Sequence, residues 1–287
     1  MTAEVARSTA QTCVTDLRFV CPRCRGPLNP ELGVDRCASC GFEASRIDGI
    51  ISFVANTNAA EWRKFFEDKA SASDGDTTAG MAYTFPLEQR IIIDGVHKFC
   101  DNLPASALIL DVGCGNGLFW EALFNHRLVI GVDYSLGMCR LAHARGMQVY
   151  HADAVALPFA SDQFDLIYSA EAVQYIDDLR ALLIELVRVC RPGGRIVVTT
   201  LNRASLLRQI VFLLKKFLPR GNAPKRGTIH MRSAEEICAA ATPLPLQLRT
   251  VCWPHFPFSW RYYSTTTRYL FAPFASSVIV EFVKRPS

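Results

Sequence analysis

Long apolar runs are missing from this sequence. The first 20 residues, MTAEVARSTAQTCVTDLRFV, hold none of signal-peptide length. The most apolar stretch, LLRQIVFLLKKFL (206–218), is too short and too charged to span a bilayer. These gaps argue against a transmembrane segment and predict a cytoplasmic protein. The same stretch, apolar with cations, has the make-up of a helix that rests on a membrane surface, so a peripheral membrane contact stays open. An excess of either charge is missing too: 31 Lys and Arg against 27 Asp and Glu leave a net charge of +4. Net charge therefore argues neither for nor against nucleic acid. No internal repeat is visible. Apolar residues are abundant, half of the 287 positions, enough for a sizeable core, and the length suits one large domain plus a small module, or two domains. The eleven cysteines are an odd number, and without a secretion signal a paired pattern among them points to metal rather than disulfides.

Four pieces are expected: a loose leader (1–16), a compact Cys-rich module (17–55), a helical lid or linker (56–100) interrupted by SASDGDTTAG, and a domain over 101–287. From residue 105 short apolar runs, ALILDVG, LVIGVD, MQVYHAD, FDLIYSA and RIVVTT, alternate with helix-like segments at 117–125, 135–145 and 177–190. That alternation predicts parallel strands joined by right-handed crossovers, an α/β fold. RPGG (191–194) reads as a stop between a helix and the strand RIVVTT.

DVGCGNG (111–117) follows the first of these strands and opens a helix, the place where an α/β sheet holds a nucleotide. Two common readings fail there. A dinucleotide fingerprint needs glycine at 118, which is Leu118, and a phosphate loop needs Gly-Lys-Ser/Thr, yet no lysine is near. What remains is Gly113, Gly115 and Gly117 at alternate positions with Asp111 before them. Such a turn lets a ligand approach the backbone, and the carboxylate favours a cationic amine over a phosphate. Three further acids end successive strands: Asp133, Asp153 in HADAVALPF and Glu171 in YSAEAVQYI. Asp133 is placed for ribose hydroxyls and Asp153 for an adenine edge. Helix N-capping, which Asp also favours, accounts for one or two of these positions but not for the whole register.

LILDVGCGNGLF, VIGVDYS, HADAVALPFASDQFDLIYSAEAVQYIDD and LLIELVRVCRPGGRIVVTT together resemble the class I S-adenosylmethionine (SAM)-dependent methyltransferases, strongly over about 80–200 and more weakly to the C-terminus. The resemblance implies a Rossmann-like seven-stranded methyltransferase sheet with helices on both faces. It places Asp111, Gly113 and Gly115 around the methionine part of SAM, Asp133 on the ribose with Tyr134 and Met138 beside it, and Asp153 with Ala154 at the adenine. Glu171 belongs to the same cofactor wall, and Tyr83, with Phe85 near it, is the aromatic expected over the cofactor. Methyl transfer is an in-line displacement from a sulfonium, so the chain must align acceptor and methyl group and exclude water. Where an acceptor needs a base, the candidates are His230, Glu171 and Tyr175; Gln174 stands where many relatives carry His.

CPRCRG and CASCGF give C-x2-C, twelve residues, then C-x2-C. Thiolates of Cys21, Cys24, Cys37 and Cys40 at that spacing can converge on one tetrahedral Zn²⁺ with no position left for water, hence a structural zinc in a small N-terminal zinc ribbon. RIDGIISFV (46–54) resembles the end of ribbon modules fused to methyltransferases, some of which act on ribosomal RNA and others on small molecules. The substrate side offers two stretches. Residues 203–232 hold eight Lys or Arg and no acid, and 253–274 hold nine aromatics in 22 positions. They suit a lid over a small hydrophobic or aromatic acceptor; the alternative is RNA, bound through phosphates and stacking by the ribbon and the basic insert. One short basic segment favours the small molecule, since RNA binders spread charge over a face.

Overall fold

The computed structural model describes residues 17–54, 61–72, 93–94, 98–120, 127–214, 229–255 and 261–286. Strands β1 (Phe19–Val20) and β2 (Pro27–Leu28) pair as a small separate sheet. The main sheet contains β3 (Ser45–Ile47), β4 (Ile50–Ser52), β5 (Leu108–Val112), β6 (Leu128–Asp133), β7 (Gln148–His151), β8 (Phe164–Ser169), β9 (Cys190–Leu201), β10 (Leu246–Pro254), β11 (Arg261–Ser264) and β12 (Ser277–Lys284). Its order is β11-β10-β12-β9-β8-β5-β6-β7-β4-β3. The chain from β5 to β9 forms five parallel neighbours, and β12 lies antiparallel between β9 and β10. The expected seven strands are the middle of this sheet. The difference lies at its edges: β11 extends one side, and β4 of the Cys-rich module pairs with β7 on the other, Ser52 opposite His151. The module thus covers an edge that would otherwise expose unpaired backbone groups.

The central strands are near-continuous apolar runs because both faces are covered. On one face lie α1 (Glu61–Ala72) and α2 (Leu136–Ala144), over a core that includes Trp120, Cys139 and Tyr168. The other carries α3 (Leu179–Val189) and α5 (Ala234–Ala241), with the Cys-rich module beside them in the same core; α4 (Leu206–Leu214) follows β9. Phe19 and Phe53 of the module stack at 5.7 Å and close on Tyr150 and Phe159. Helix starts are set by local caps: the Ser135 hydroxyl accepts from the Met138 N–H, the Asp178 carboxylate from the Ala181 N–H, and Ser233 with Glu236 forms a reciprocal capping box. None of the four acids singled out by the strand pattern is a cap of these helices.

RPGG does not separate helix from strand. The backbone enters β9 directly at Cys190, and the four residues are absorbed as a bulge: Phe164 faces Cys190, but Leu166 already faces Arg195. Only a 3-10 turn, Leu118–Trp120, is described within the helix expected over 117–125. Tyr83, Phe85 and most of the expected lid before β5 lie outside the described residues.

Candidate active site and cysteine cluster

A cavity of about 380 Å³ opens at the carboxyl ends of β5, β6, β7 and β8, where an open α/β sheet offers its crevice. Gly113, Gly115, Asp133, Tyr134, Met138, Asp153, Ala154, Glu171 and Tyr175 all line it. Asp133 fixes the glycine turn: one carboxylate oxygen accepts from the Gly115 N–H and the other from the Ser135 N–H, both at 2.8 Å. Each oxygen has a second lone pair, so hydroxyls of a ribose can still be accepted. Burial, despite these backbone bonds, raises the Asp133 carboxyl to about 6. Asp153 holds the backbone of the loop that follows β7, accepting from the Val155 N–H at 3.0 Å, and burial raises it as well.

Glu171 adopts a left-handed backbone, φ +53°, which is costly for a residue with a side chain and is concentrated at functional sites. Its N–H donates to the Thr199 hydroxyl at 2.9 Å, and its carboxylate accepts from Thr199 and from Gln174, each at 3.2 Å. The carboxylate is thereby fixed on the cavity wall. Tyr175 meets Phe66 of α1 edge-on at 5.2 Å. His230 is not part of the lining. It stands at the rim, its N–H donating to the Gln174 carbonyl and its Nε2 lying 2.8 Å from Asp177, which does line the cavity.

Asp111 does not reach the cavity. It is fully buried beneath the turn, with one oxygen accepting from Trp120 Nε1 at 2.7 Å and the other without a partner among the described residues. Burial pushes its carboxyl up to about 7. The folded chain therefore holds a proton that the unfolded chain releases between about pH 4 and 7, so this group's contribution to stability is lost as pH rises through that window. Asp111→Asn, which keeps an acceptor for Trp120, is expected to raise the melting temperature by several degrees at pH 8 and by little at pH 4. SAM affinity is expected to stay within a few-fold; thermal melts and a binding titration check both.

Arg63 and Phe66, in the segment expected as lid or linker, also line the cavity, though no motif singled them out. Both come from α1, which docks on α2 when Glu67 accepts from the Gly137 N–H at 2.9 Å. Arg63 lies over the Tyr134 ring and is the one cation among the described lining residues, against five acids: Asp133, Asp153, Glu171, Asp177 and Asp178.

In the N-terminal module the sulfurs of Cys21, Cys24, Cys37 and Cys40 lie within 4.8 Å of one another, the closest pairs at 3.4 and 3.5 Å. Four sulfurs about 2.3 Å from a tetrahedral zinc are separated by about 3.8 Å, so the cluster fits that ion. The two knuckles repeat one geometry. Arg25 N–H donates to the Cys21 carbonyl and Gly41 N–H to the Cys37 carbonyl, and both donors are left-handed. The left-handed place in the first knuckle is thus held by Arg25. Gly26 is required for space: a Cβ there would lie 2.9 Å from Ser39 Oγ and 3.1 Å from Cys37 Sγ. Among the remaining cysteines, Cys100, Cys114, Cys139, Cys190 and Cys252 are buried singly in the core.

The module is tied to the cavity at two places. Ser52 Oγ bonds His151 Nδ1 at 2.8 Å, and His151 Nε2 lies 3.1 Å from the Tyr134 carbonyl. Arg25 donates to the Leu157 carbonyl and pairs with buried Glu185 at 2.7 Å; Glu185 in turn accepts from the Leu157 N–H. Leu157 ends the loop that begins at Asp153.

Residues 110–198 match the family model of a methyltransferase domain. The chain is 30% identical over 207 residues to a malonyl-[acyl-carrier protein] O-methyltransferase of Hahella chejuensis, covering 69% of this chain and 71% of the relative. It is 44% identical over 107 residues to the enzyme of the same name from Salmonella typhimurium, 35% of this chain and 41% of the relative. A SAM-dependent methyltransferase structure from Thermotoga maritima superposes with a TM-score of 0.56 at 20% identity, over 69% of this chain and 91% of that one, a likeness of fold.

Proposed function

Since this chain belongs to the class I SAM-dependent methyltransferases, we propose that it transfers the methyl group of SAM to a small hydrophobic metabolite in a biosynthetic reaction. The lining of the cavity carries this reading. Apart from its acids the wall is largely apolar, with Phe66, Phe119, Tyr175 and Ile176 contributing, the make-up of a small-molecule site. Five acids against one arginine suit a cofactor that carries a sulfonium and an ammonium, and disfavour the phosphates of RNA. Glu171 and Asp133 face those cationic and hydroxyl-bearing parts, and Arg63 answers SAM's single carboxylate. Because two relatives bear the name malonyl-[acyl-carrier protein] O-methyltransferase, an acyl carboxylate is the first acceptor to try. For a neutral acceptor, the candidate bases are Glu171 and Tyr175 on the wall and His230 at the rim.

Zn²⁺ held by Cys21, Cys24, Cys37 and Cys40 has a structural part in this reading: all four positions are thiolate, so no coordination site is open to substrate.

Arg63→Met is expected to weaken binding of the product S-adenosylhomocysteine about tenfold, the worth of a charge-assisted bond. Binding of methylthioadenosine, which lacks the amino-acid end, should be unchanged. Equal losses for both ligands would place Arg63 elsewhere. The acceptor class is tested by incubating cell extract with SAM labelled in the methyl group, with and without RNase. Label in RNase-resistant small molecules is the expected result; label confined to RNase-sensitive material would overturn it.

A further inference from the structure

Nine large apolar side chains stand exposed among the described residues, and seven of them fall in two segments: Leu206, Leu207, Ile210 and Leu213 of α4, and Leu270, Phe271 and Phe274 of the turn before β12. The two segments form one surface. Asn202, just ahead of α4, donates its amide to the Ala272 and Ala275 carbonyls at 2.8 and 2.9 Å, and Arg208 Nε donates to the Ser276 carbonyl at 3.1 Å. These bonds decide which way the helix faces. Among the described side chains, Ser205 just ahead of the helix and Arg208 within it are buried, while Leu206, Leu207, Ile210 and Leu213 are exposed. Four large apolar side chains open to solvent on so short a helix mark a surface that meets a partner.

Charge specifies what meets this surface. Residues 203–232 and 254–280 contain ten Lys or Arg and no Asp or Glu, although Arg203 pairs with Glu236, Arg261 pairs with Asp94 and Arg208 is buried. Exposed Arg268 lies two positions before exposed Leu270 in the sequence, and Lys215 and Lys216 continue the sequence directly after α4. Exposed leucine and phenylalanine side chains flanked by cations complement an anionic lipid surface, with apolar groups entering the acyl boundary and cations meeting headgroups. With nine residues α4 is about 13 Å long, and no helix among the described residues is long and apolar enough to cross a membrane, so it can lie on a bilayer but not span it.

We propose that α4 and the 270–274 turn dock this enzyme on the surface of an anionic bilayer. The surface leaves the sheet at the same carboxyl edge as the cavity: Thr199 and Thr200 of β9 bond Glu171 and Gln174 of the cavity wall, and Asn202 follows them. Docking therefore brings the active-site edge of the sheet toward the lipid, where a hydrophobic acceptor would be concentrated. The lipid contact itself does not depend on which acceptor is used.

The test is sedimentation with vesicles of phosphatidylcholine alone and of phosphatidylcholine containing about one quarter phosphatidylglycerol. The full chain is expected to sediment with the anionic vesicles, less so at high salt, and weakly with the neutral ones. Both substitutions of the double variant Ile210→Asp/Phe271→Asp are at exposed positions. It should keep the wild-type melting temperature and S-adenosylhomocysteine affinity while its vesicle partitioning falls by about a hundredfold. Failure of the wild type to bind either vesicle, or unchanged partitioning of the double variant, would overturn the proposal. So would self-association, or binding to a purified acidic carrier protein, that depends on Ile210 and Phe271 while vesicles are ignored.

Discussion

Gly113→Ala is expected to reduce SAM affinity by about two orders of magnitude. The backbone at 113 has φ +78°, a region that costs a residue with a Cβ about 1–2 kcal/mol. The added carbon would also lie 2.3 Å from Ala172 Cβ, well inside contact distance. Something must move, and both candidates belong to the cavity wall: the glycine turn that Asp133 holds through Gly115, or the backbone next to Glu171. Either shift spoils the cofactor surface, at a packing cost of about 1–3 kcal/mol. The clash has a specific remedy. In Gly113→Ala/Ala172→Gly the opposing carbon is gone, and SAM affinity should recover at least partly. Calorimetric titration of both variants reads this out. An unaffected single variant, or a double variant no better than the single, would show that the turn does not pack on Ala172 as described.

Loss of metal has the second large effect. About one zinc per chain is expected by elemental analysis, and Cys37→Ser should abolish it, because a thiolate cluster of this kind holds zinc with a large share of its module's folding energy. Hydrogen exchange should then lose protection across 17–54 while the central strands keep theirs. The cavity is also expected to respond. With the module unfolded, His151 loses Ser52 and the 153–157 loop loses Arg25, so SAM affinity should fall by up to about tenfold. Arg25→Ala separates the two effects: zinc should remain bound while part of the affinity is lost, Glu185 keeping Arg188 as its other partner. A zinc-free chain with unchanged stability would contradict the structural role.

What the sequence showed and what it hid divide along a physical line. Asp133, Asp153 and Glu171 were legible because parallel strands point their carboxyl ends one way, so acids ending successive strands must gather at one edge. The cysteine spacing was legible because knuckle geometry is local. Asp111 carries the same register, yet its carboxylate turns to Trp120 Nε1 under the turn, an outcome of tertiary packing. Arg63 and Phe66 enter through the bond between Glu67 and Gly137, 70 residues apart, which no local pattern encodes. Strand β4, which joins the module to β7, is three residues long, too short to stand out in sequence as part of the main sheet. Helix α4 is apolar almost throughout in sequence, so its exposed side was not legible there; the burial of Arg208 and its bond to Ser276 mark part of the inward side.

On the proposed reading, the cavity at the carboxyl edge holds SAM between the glycine turn and α1. Isothermal titration of the zinc-loaded chain with S-adenosylhomocysteine tests it most directly. One molecule should bind per chain at pH 8. Affinity should weaken as pH falls through about 6, where Asp133 takes up a proton and loses capacity to accept ribose hydroxyls. A folded, zinc-loaded chain that binds neither S-adenosylhomocysteine nor SAM at any pH would show that the cavity is not a SAM site.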